Sequence, residues 1–539
     1  LPILPGYGSF SNTKVIPKHV DIWPFQQSEK RLPFLFSLKI PHMKFEEYRQ
    51  HDATSLAELV KAKQVTPEEL LETAIARAEE VNPKINGVVT KLYDLAKVQL
   101  KTVDANAPFG GVPYLIKDLG PQLKGTRYTC GSRILKDFVS TENSVVTDRM
   151  LKAGLVIFGK TNTPEFGLTP WTEGEFLGAA HNPWNLNHTT GGSSGGSAAS
   201  IAAGIVPMAS ANDGGGSIRI PASCNGLFAV KPTRGRITLG PYFGEGWGGA
   251  VSEGVISRSV RDSALYYDLV HGADDGDPYH VKPPEHPFMH EITRTPRKLK
   301  IGYSTKMPAG LNKPVDEENV KAIAHTVQLL KSLGHEVVEV ELPYKKEVLT
   351  ELLYAMVYGE TSATLDYIGE QRGRKPHRNE VEPNTWLLYK LGKSFSANAF
   401  ALAKLKWNEV NRKIAEFHKD YDLLLTPTLG MRPFKIGAMN NPPFEEISLR
   451  VLNALGISSI IRYTGMIEKI AEQTFSWIPY PPLANITGQP AMTVPLYWTS
   501  ENLPVGVMFS APLGDEGTLF QLGAQLEKTQ PWFNKVPSL

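Results

Sequence analysis

The sequence predicts an α/β fold built around a sheet, and three stretches carry that expectation. A β-α-β rhythm runs from VPYLI at 112–116, through a helical stretch from Ser144 to Lys152, to LVIFG at 155–159. A second unit places an amphipathic helix, from about Asp316 to Leu333 and closed by Gly334, between LKIGYS at 299–304 and EVVEVEL at 336–342. Near the end, AMTVPLYW and VGVMFS return to strand-like patterning.

The remaining elements follow in order. The first 42 or so residues carry many prolines and aromatics without a period, and Met43 precedes the onset of regular patterning. From about Thr54 the chain reads as helices. Thr66, Pro67 and Glu69 form a capping-box start, Leu71, Ala74, Ile75, Ala78 and Val81 recur at helical spacing, and Pro83 is expected to end that helix. The glycine- and serine-dense stretch from Gly191 to Gly235 embeds IRIPAS and FAVKPTRGRI, which a flexible linker would not do, and it reads as ordered loops around a site. Residues from about 345 to 480 read as mixed helices and long irregular connections that contribute much of a substrate pocket.

Composition removes several function classes. With 41% hydrophobic and 21% charged residues over 539 positions, the chain is neither disordered nor fibrous. A formal charge of +2 without a basic run gives no electrostatic reason to expect nucleic acid. No stretch reaches the ~18 consecutive apolar residues of a membrane span, so a cytoplasmic location is the expectation. Cys130 and Cys224 are too few for a disulfide framework and wrongly spaced for zinc, and they read as reduced core residues. No metal is expected.

Two glycine-serine elements could carry chemistry. GGSSGGSAAS, Gly191 to Ser200, leads into AASIAAG, which can begin a helix whose first amides attract an anion. It lacks the Gly-Lys-Ser/Thr ending of a P-loop and the dinucleotide fingerprint, so a structural turn and an anion site both stay open. In NDGGGSIRIP, Ser217 follows Gly214, Gly215 and Gly216, so backbone amides can converge beside a hydroxyl. That is the layout of an oxyanion hole, in which each donor stabilises an acyl-transfer transition state by about 2.7–4 kcal/mol. A serine needs a base to remove its proton. No histidine lies near in sequence, although one could approach from elsewhere in the fold. Lys117, at the end of VPYLI, is the other candidate if burial lowers its pKa from ~10.4 towards ~7–8. Taken alone, Lys117 reads sooner as a solvated loop lysine or a partner for Asp118 than as a base.

Together these pieces resemble the amidase signature family over nearly the whole chain, from about Ala53 to Trp532. FGGVPYLIKDL is similar to its lysine segment, GGSSGGSAAS to its first glycine-serine loop, NDGGGSIRIPAS with FAVKPTRGRI to its nucleophile segment, and NITGQPAMTVPL with LPVGVMF to its closing strands. The resemblance implies a single large fold over 49–539, a mixed central β-sheet covered by helices, preceded by an N-terminal extension at 1–48 of unclear role. In that family a serine on a cis peptide relays protons between the lysine and a nucleophile 24 positions later, the separation of Ser193 and Ser217 here. It therefore implies Ser217 as nucleophile, Ser193 as relay, neutral Lys117 as base, the Gly214 to Gly216 amides as oxyanion hole, and no cofactor. Ser194, Asp213 and Arg219 fall on supporting positions. HNPWN, FGGVPYL and NDGGGSIRIPAS look most like the branch that includes 6-aminohexanoate-cyclic-dimer hydrolases, although LLYAMVYGE lacks that branch's cysteine.

The implied function is hydrolysis of carboxamide C-N bonds in linear or cyclic amides, anilides, carbamates or esters through an acyl-serine. The expected partner is a small-molecule amide, with no nucleic acid or membrane, and a homodimer is one expectation for assembly. A glutaminase subunit that passes ammonia to a partner uses the same serines and lysine. A non-catalytic anion- or nucleotide-binding protein is the reading from another class.

Overall fold

The structure, a computed structural model, describes residues 43–440, 443–456 and 465–539. Its centre is an 11-stranded sheet. Numbered along the chain within that sheet, the strands are β1 (Val88–Lys91), β2 (Pro113–Lys117), β3 (Val156–Thr161), β4 (Met208–Asp213), β5 (Phe228–Lys231), β6 (Ser252–Ser257), β7 (Lys300–Tyr303), β8 (Glu336–Glu339), β9 (Leu423–Pro427), β10 (Ala491–Trp498) and β11 (Pro504–Ser510). Their order across the sheet is β1-β3-β2-β4-β6-β5-β10-β11-β9-β7-β8. β2 runs parallel to both β3 and β4, β7 runs parallel to β8 and β9, and the central pairs are antiparallel. The sheet is therefore mixed, as expected. Most central strands are buried along their whole length, which explains their apolar or small-residue sequences.

The expected β-α-β units are present. The helix Val145–Lys152 joins β2 to β3, and the helix Glu317–Ser332, capped by the Asp316 side chain, joins β7 to β8. The capping box also forms: Thr66 Oγ1 accepts from the Glu69 N–H, and the Glu69 carboxylate accepts from the Thr66 N–H. That helix runs from Pro67 to Ile85, two residues beyond the expected stop at Pro83. A proline removes one hydrogen bond. Near the end of a helix that loss does not stop the last turn, which closes where Asn86 turns left-handed at φ 46°.

The stretch from Gly191 to Gly235 is more regular than the ordered loops expected of it. It holds the helices Gly195–Ala202 and Arg219–Asn225 as well as β4 and β5. Small residues are what the packing demands: the first helix is wholly buried, and a Cβ on Gly196 would collide with the Asn162 and Gly87 backbones. The 345–480 region is likewise dominated by helices, Tyr354–Gln371, Pro383–Ser394, Ala397–Asp420, Pro443–Leu455 and Met466–Trp477, and it also contributes β9. At the N-terminal end Met43 and Tyr48 are buried, and Tyr48 Oη donates to the Ile205 carbonyl at 3.2 Å. The earlier part of the expected extension, 1–42, lies outside the described residues. Among the described residues no helix is long and apolar enough to cross a membrane.

Candidate active site

The site forms at the carboxyl ends of β2 and β4, where an α/β sheet opens a crevice. Lys117 is the last residue of β2, and Asn212 and Asp213 end its parallel neighbour β4. Lys117 is fully buried, and its own N–H donates to Ser210 Oγ at 2.7 Å, which fixes the strand end. The side chain does not pair with Asp118, whose carboxylate instead accepts from the Thr129 hydroxyl and N–H. Lys117 Nζ lies 2.7 Å from Ser193 Oγ and 2.6 Å from Asn212 Oδ1. Burial lowers its pKa to about 7 against the opposing pull of Glu253, Asp213 and Cys130. A buried lysine with a neutral form available near pH 7 can accept a proton.

Ser193 follows a cis Gly192–Ser193 peptide and stands two residues ahead of the buried helix Gly195–Ala202. Ser194 is buried, and its hydroxyl reaches the Asn212 carbonyl at 3.4 Å, a contact that joins this loop to β4. Ser217 stands two residues ahead of the helix Arg219–Asn225 and is 8% exposed.

Asp213 organises the loop that carries Ser217. Its carboxylate accepts from the Gly216 N–H at 2.7 Å and the Ile218 N–H at 3.0 Å, and meets Arg219 through Nε at 3.0 Å and Nη2 at 2.9 Å. Both side chains are fully buried. Burial alone would raise the Asp213 pKa, but Arg219 outweighs it, with Lys231 and Asn485 assisting, and holds the pKa at about 2. Arg219 also donates to Asn485 Oδ1 and the Pro481 carbonyl, each at 2.7 Å. The pair is thus a brace, the structural role open to these two residues.

Gly216 differs from the sequence expectation. Its N–H is taken by Asp213 and is not available to a substrate oxygen, because a carboxylate three residues earlier folds back over the turn. Gly214 and Gly215 remain beside Ser217, each in the wall of a different chamber.

Two chambers meet at Ser217, sharing Gly167, Ser217 and Trp247 in their walls. One spans about 850 Å³, open solvent included, and is lined by Ser193, Asn212, Phe166, Phe243 and Glu253, among others. The other spans about 1370 Å³, open solvent included, and is lined by Trp171, Tyr354, Tyr358, Leu388 and Ile470, among others. The 345–480 region supplies much of this second wall, in keeping with the sequence expectation. Among the described residues no histidine borders either chamber. His181 Nδ1 is instead bonded to the Leu186 carbonyl. Cys130 and Cys224 are buried free thiols whose pKa values burial raises, as expected of core cysteines.

Asn212 and Glu253 are marked by no local pattern in the sequence. Asn212 and Glu253 are cross-strand neighbours on β4 and β6, a proximity that depends on strand order. Asn485 was legible in part, since it begins the NITGQP segment.

One serine beside a buried amine, and a second serine in the wall of the same chamber, are the side chains that a hydrolase attacking through a hydroxyl needs. The chain belongs to the amidase family, whose model matches residues 69–520, and it is a hydrolase of carboxamide C-N bonds. It is 35% identical over 499 residues to a 6-aminohexanoate-cyclic-dimer hydrolase from Pseudomonas sp. (strain NK87), covering 90% of this chain and 96% of that protein. It is also 35% identical to a lipoamidase from Enterococcus faecalis, covering 89% of this chain and 63% of that protein. A solved structure of a 6-aminohexanoate cyclic dimer hydrolase complexed with substrate superposes with a TM-score of 0.83 at 33% identity, over 91% of this chain and 99% of that one.

Proposed function

We propose that this amidase cleaves N-substituted amides through a covalent acyl-Ser217 intermediate, with Lys117 as base and Ser193 as proton relay. The contact between Lys117 Nζ and Ser193 Oγ carries the reading, because it joins a buried amine with an accessible neutral form to a serine that shares a chamber with Ser217. In the first step the Ser217 proton passes to Ser193 Oγ while the Ser193 proton passes to Lys117 Nζ. The freed Ser217 oxygen bonds to the carbonyl carbon. The resulting oxyanion is met by amides of the Gly214–Ser217 turn; Gly216 is excluded because its N–H is bonded to Asp213. Collapse breaks the C-N bond as the relay returns a proton to the leaving nitrogen. Water, deprotonated through the same relay, then releases the acid.

The position of Ser217 between two large chambers supports substrates with substantial groups on both sides of the amide. A primary amide would leave one chamber unfilled, which disfavours a glutaminase role. Near-neutral charge and the absence of a spanning helix among the described residues support a cytoplasmic enzyme without nucleic-acid or membrane partners.

The test is amine or ammonia release from anilides, primary amides, short amide oligomers, carbamates and glutamine, comparing wild type with Ser217→Ala. Turnover of N-substituted amides that disappears in the folded variant is the expected result. Turnover retained by Ser217→Ala, or confined to glutamine, overturns the proposal.

A further inference from the structure

Glu253 is a buried carboxyl in the wall of the smaller chamber that the mechanism above does not use. It lies on β6 directly across from Asn212 on β4, so both side chains sit on the same face of the sheet as neighbours. The residue is 5% exposed. Its Oε1 accepts from Asn212 Nδ2 at 3.4 Å, a long contact, because that amide nitrogen is held more closely by the Leu119 carbonyl at 2.8 Å. Its Oε2 is buried without a hydrogen-bond partner among the described residues. Gly120, at φ +103°, leaves the room that this carboxyl occupies: a Cβ there would collide with Glu253 Oε1 and Asn212 Nδ2.

An unpaired buried carboxyl oxygen is expensive, and one in the wall of a chamber is placed where a ligand can complete it. The surroundings here are otherwise largely apolar and aromatic, with Leu119, Tyr128, Phe166, Leu239, Phe243 and Trp247 in the same wall. A few polar groups in such a wall, Glu253 and Glu360 among them, fix the orientation of a ligand rather than supplying bulk affinity.

We propose that Glu253 is a specificity-determining residue, which binds a second carbonyl of the substrate, of the amide class, while the scissile amide lies at Ser217. This rests on the placing of the scissile amide at Ser217 proposed above. The chemistry of the carboxyl selects the class. Burial raises the pKa of Glu253 to about 8, with Lys117 and the Asn212 contact opposing, so near neutral pH the group is chiefly a neutral acid with a proton to donate. A neutral acid in an apolar wall matches a carbonyl oxygen better than an ion.

The test uses diamides whose two carbonyls are separated by two to six methylenes, each paired with a monoamide in which the second amide is replaced by methylenes. Affinities are measured by calorimetry on Ser217→Ala, where no turnover interferes. For the best spacer, the diamide is expected to bind at least tenfold more tightly than its monoamide. That ratio should survive Glu253→Gln, which keeps a donor and an acceptor, and fall to about one in Glu253→Met or, if that variant does not fold, Glu253→Ala. The ratio in otherwise unaltered Ser217→Ala should also shrink as pH rises above about 8 and the carboxyl proton is lost. The titrating groups that act on Glu253 are Lys117 from β2 and the phenols of Tyr114 and Tyr266. Lys117 loses its proton mainly below that range, and both phenols are raised above their ordinary value, beyond the measured range. No advantage at any spacer, an advantage kept in the apolar variants, or an advantage flat with pH overturns the proposal. Hydrolysis persisting in Ser217→Ala would instead refute the nucleophile assignment and leaves the binding ratios to judge Glu253 on their own.

Discussion

Lys117 Nζ lies 2.7 Å from Ser193 Oγ across a sequence separation of 76 residues, and neither side chain is on the surface. The sheet creates this contact. Lys117 is delivered by the end of β2, and Ser193 by the turn into a helix that packs against β2, β3 and β4. A fully buried amine held at this distance, with its pKa lowered to about 7, makes several outcomes measurable.

Lys117→Met keeps the volume of the buried stem and removes the amine. The expected loss in kcat/KM is about 10²–10⁴-fold, the usual range for a general base, with KM little changed. Steady-state kinetics on an N-substituted amide check this, and an unchanged kcat shows that another group takes the proton.

The pH profile follows from the same group. Only neutral Lys117 accepts a proton, so kcat/KM should rise with pH through about 7 and fall away in acid. Stability carries a matching signature. A lysine with pKa about 7 when folded and about 10.4 when unfolded binds fewer protons in the native state between those values. Its contribution therefore makes the protein more stable as pH rises across that window. Lys231, also lowered to about 7 by burial, adds a slope of the same sign. Denaturant titrations at pH 7, 8.5 and 10 should show a shallower slope in Lys117→Met than in wild type. Equal slopes would mean that Lys117 is not desolvated.

Arg219→Met leaves the Asp213 carboxylate buried without its principal partner, and breaking one side of such a pair costs about 3–5 kcal/mol. Chemical denaturation measures this, and a loss below about 1 kcal/mol contradicts the brace. In wild type the low Asp213 pKa, about 2 against an ordinary value near 3.8, contributes stability that is full above pH 4 and is lost as pH falls through 2.

Gly216→Ala tests the turn. Gly216 has φ +126°, and a Cβ there would lie 2.6 Å from both Ile220 Cδ1 and Pro481 Cβ. Strain of this kind costs about 1–3 kcal/mol and displaces the loop that carries Ser217. Melting temperature and kcat should both fall, whereas Gly215→Ala, with its nearest neighbour 3.8 Å away, should fold normally. Equal melting temperatures for the two variants would remove the steric argument.

The segments around this site are legible in the chain as local patterns, whereas the roles given to Lys117, Ser193 and Ser217 come from the family resemblance. An apolar strand ending in Lys117 and a glycine run before Ser217 are short-range patterns, and the capping box at Thr66 and Glu69 is another. Asn212 and Glu253 were hidden for a physical reason: they meet through the antiparallel register of β4 and β6, which no local pattern encodes. A run of three glycines reads as three free donors, but the Gly216 N–H is claimed by Asp213 at i−3. The helices and strands between Gly191 and Gly235 were obscured by glycine and serine that read as loop. In the fold those small residues let a helix pack directly against neighbouring backbone.

The nucleophile itself can be labelled. Reaction of the folded wild-type protein with an alkyl fluorophosphonate, followed by intact-mass and peptide mass spectrometry, should give one adduct per chain, carried by Ser217 and absent from Ser217→Ala. It should form more slowly in Lys117→Met. An adduct on Ser193, Ser194 or any other residue, with Ser217 unmodified, would contradict Ser217 as the nucleophile.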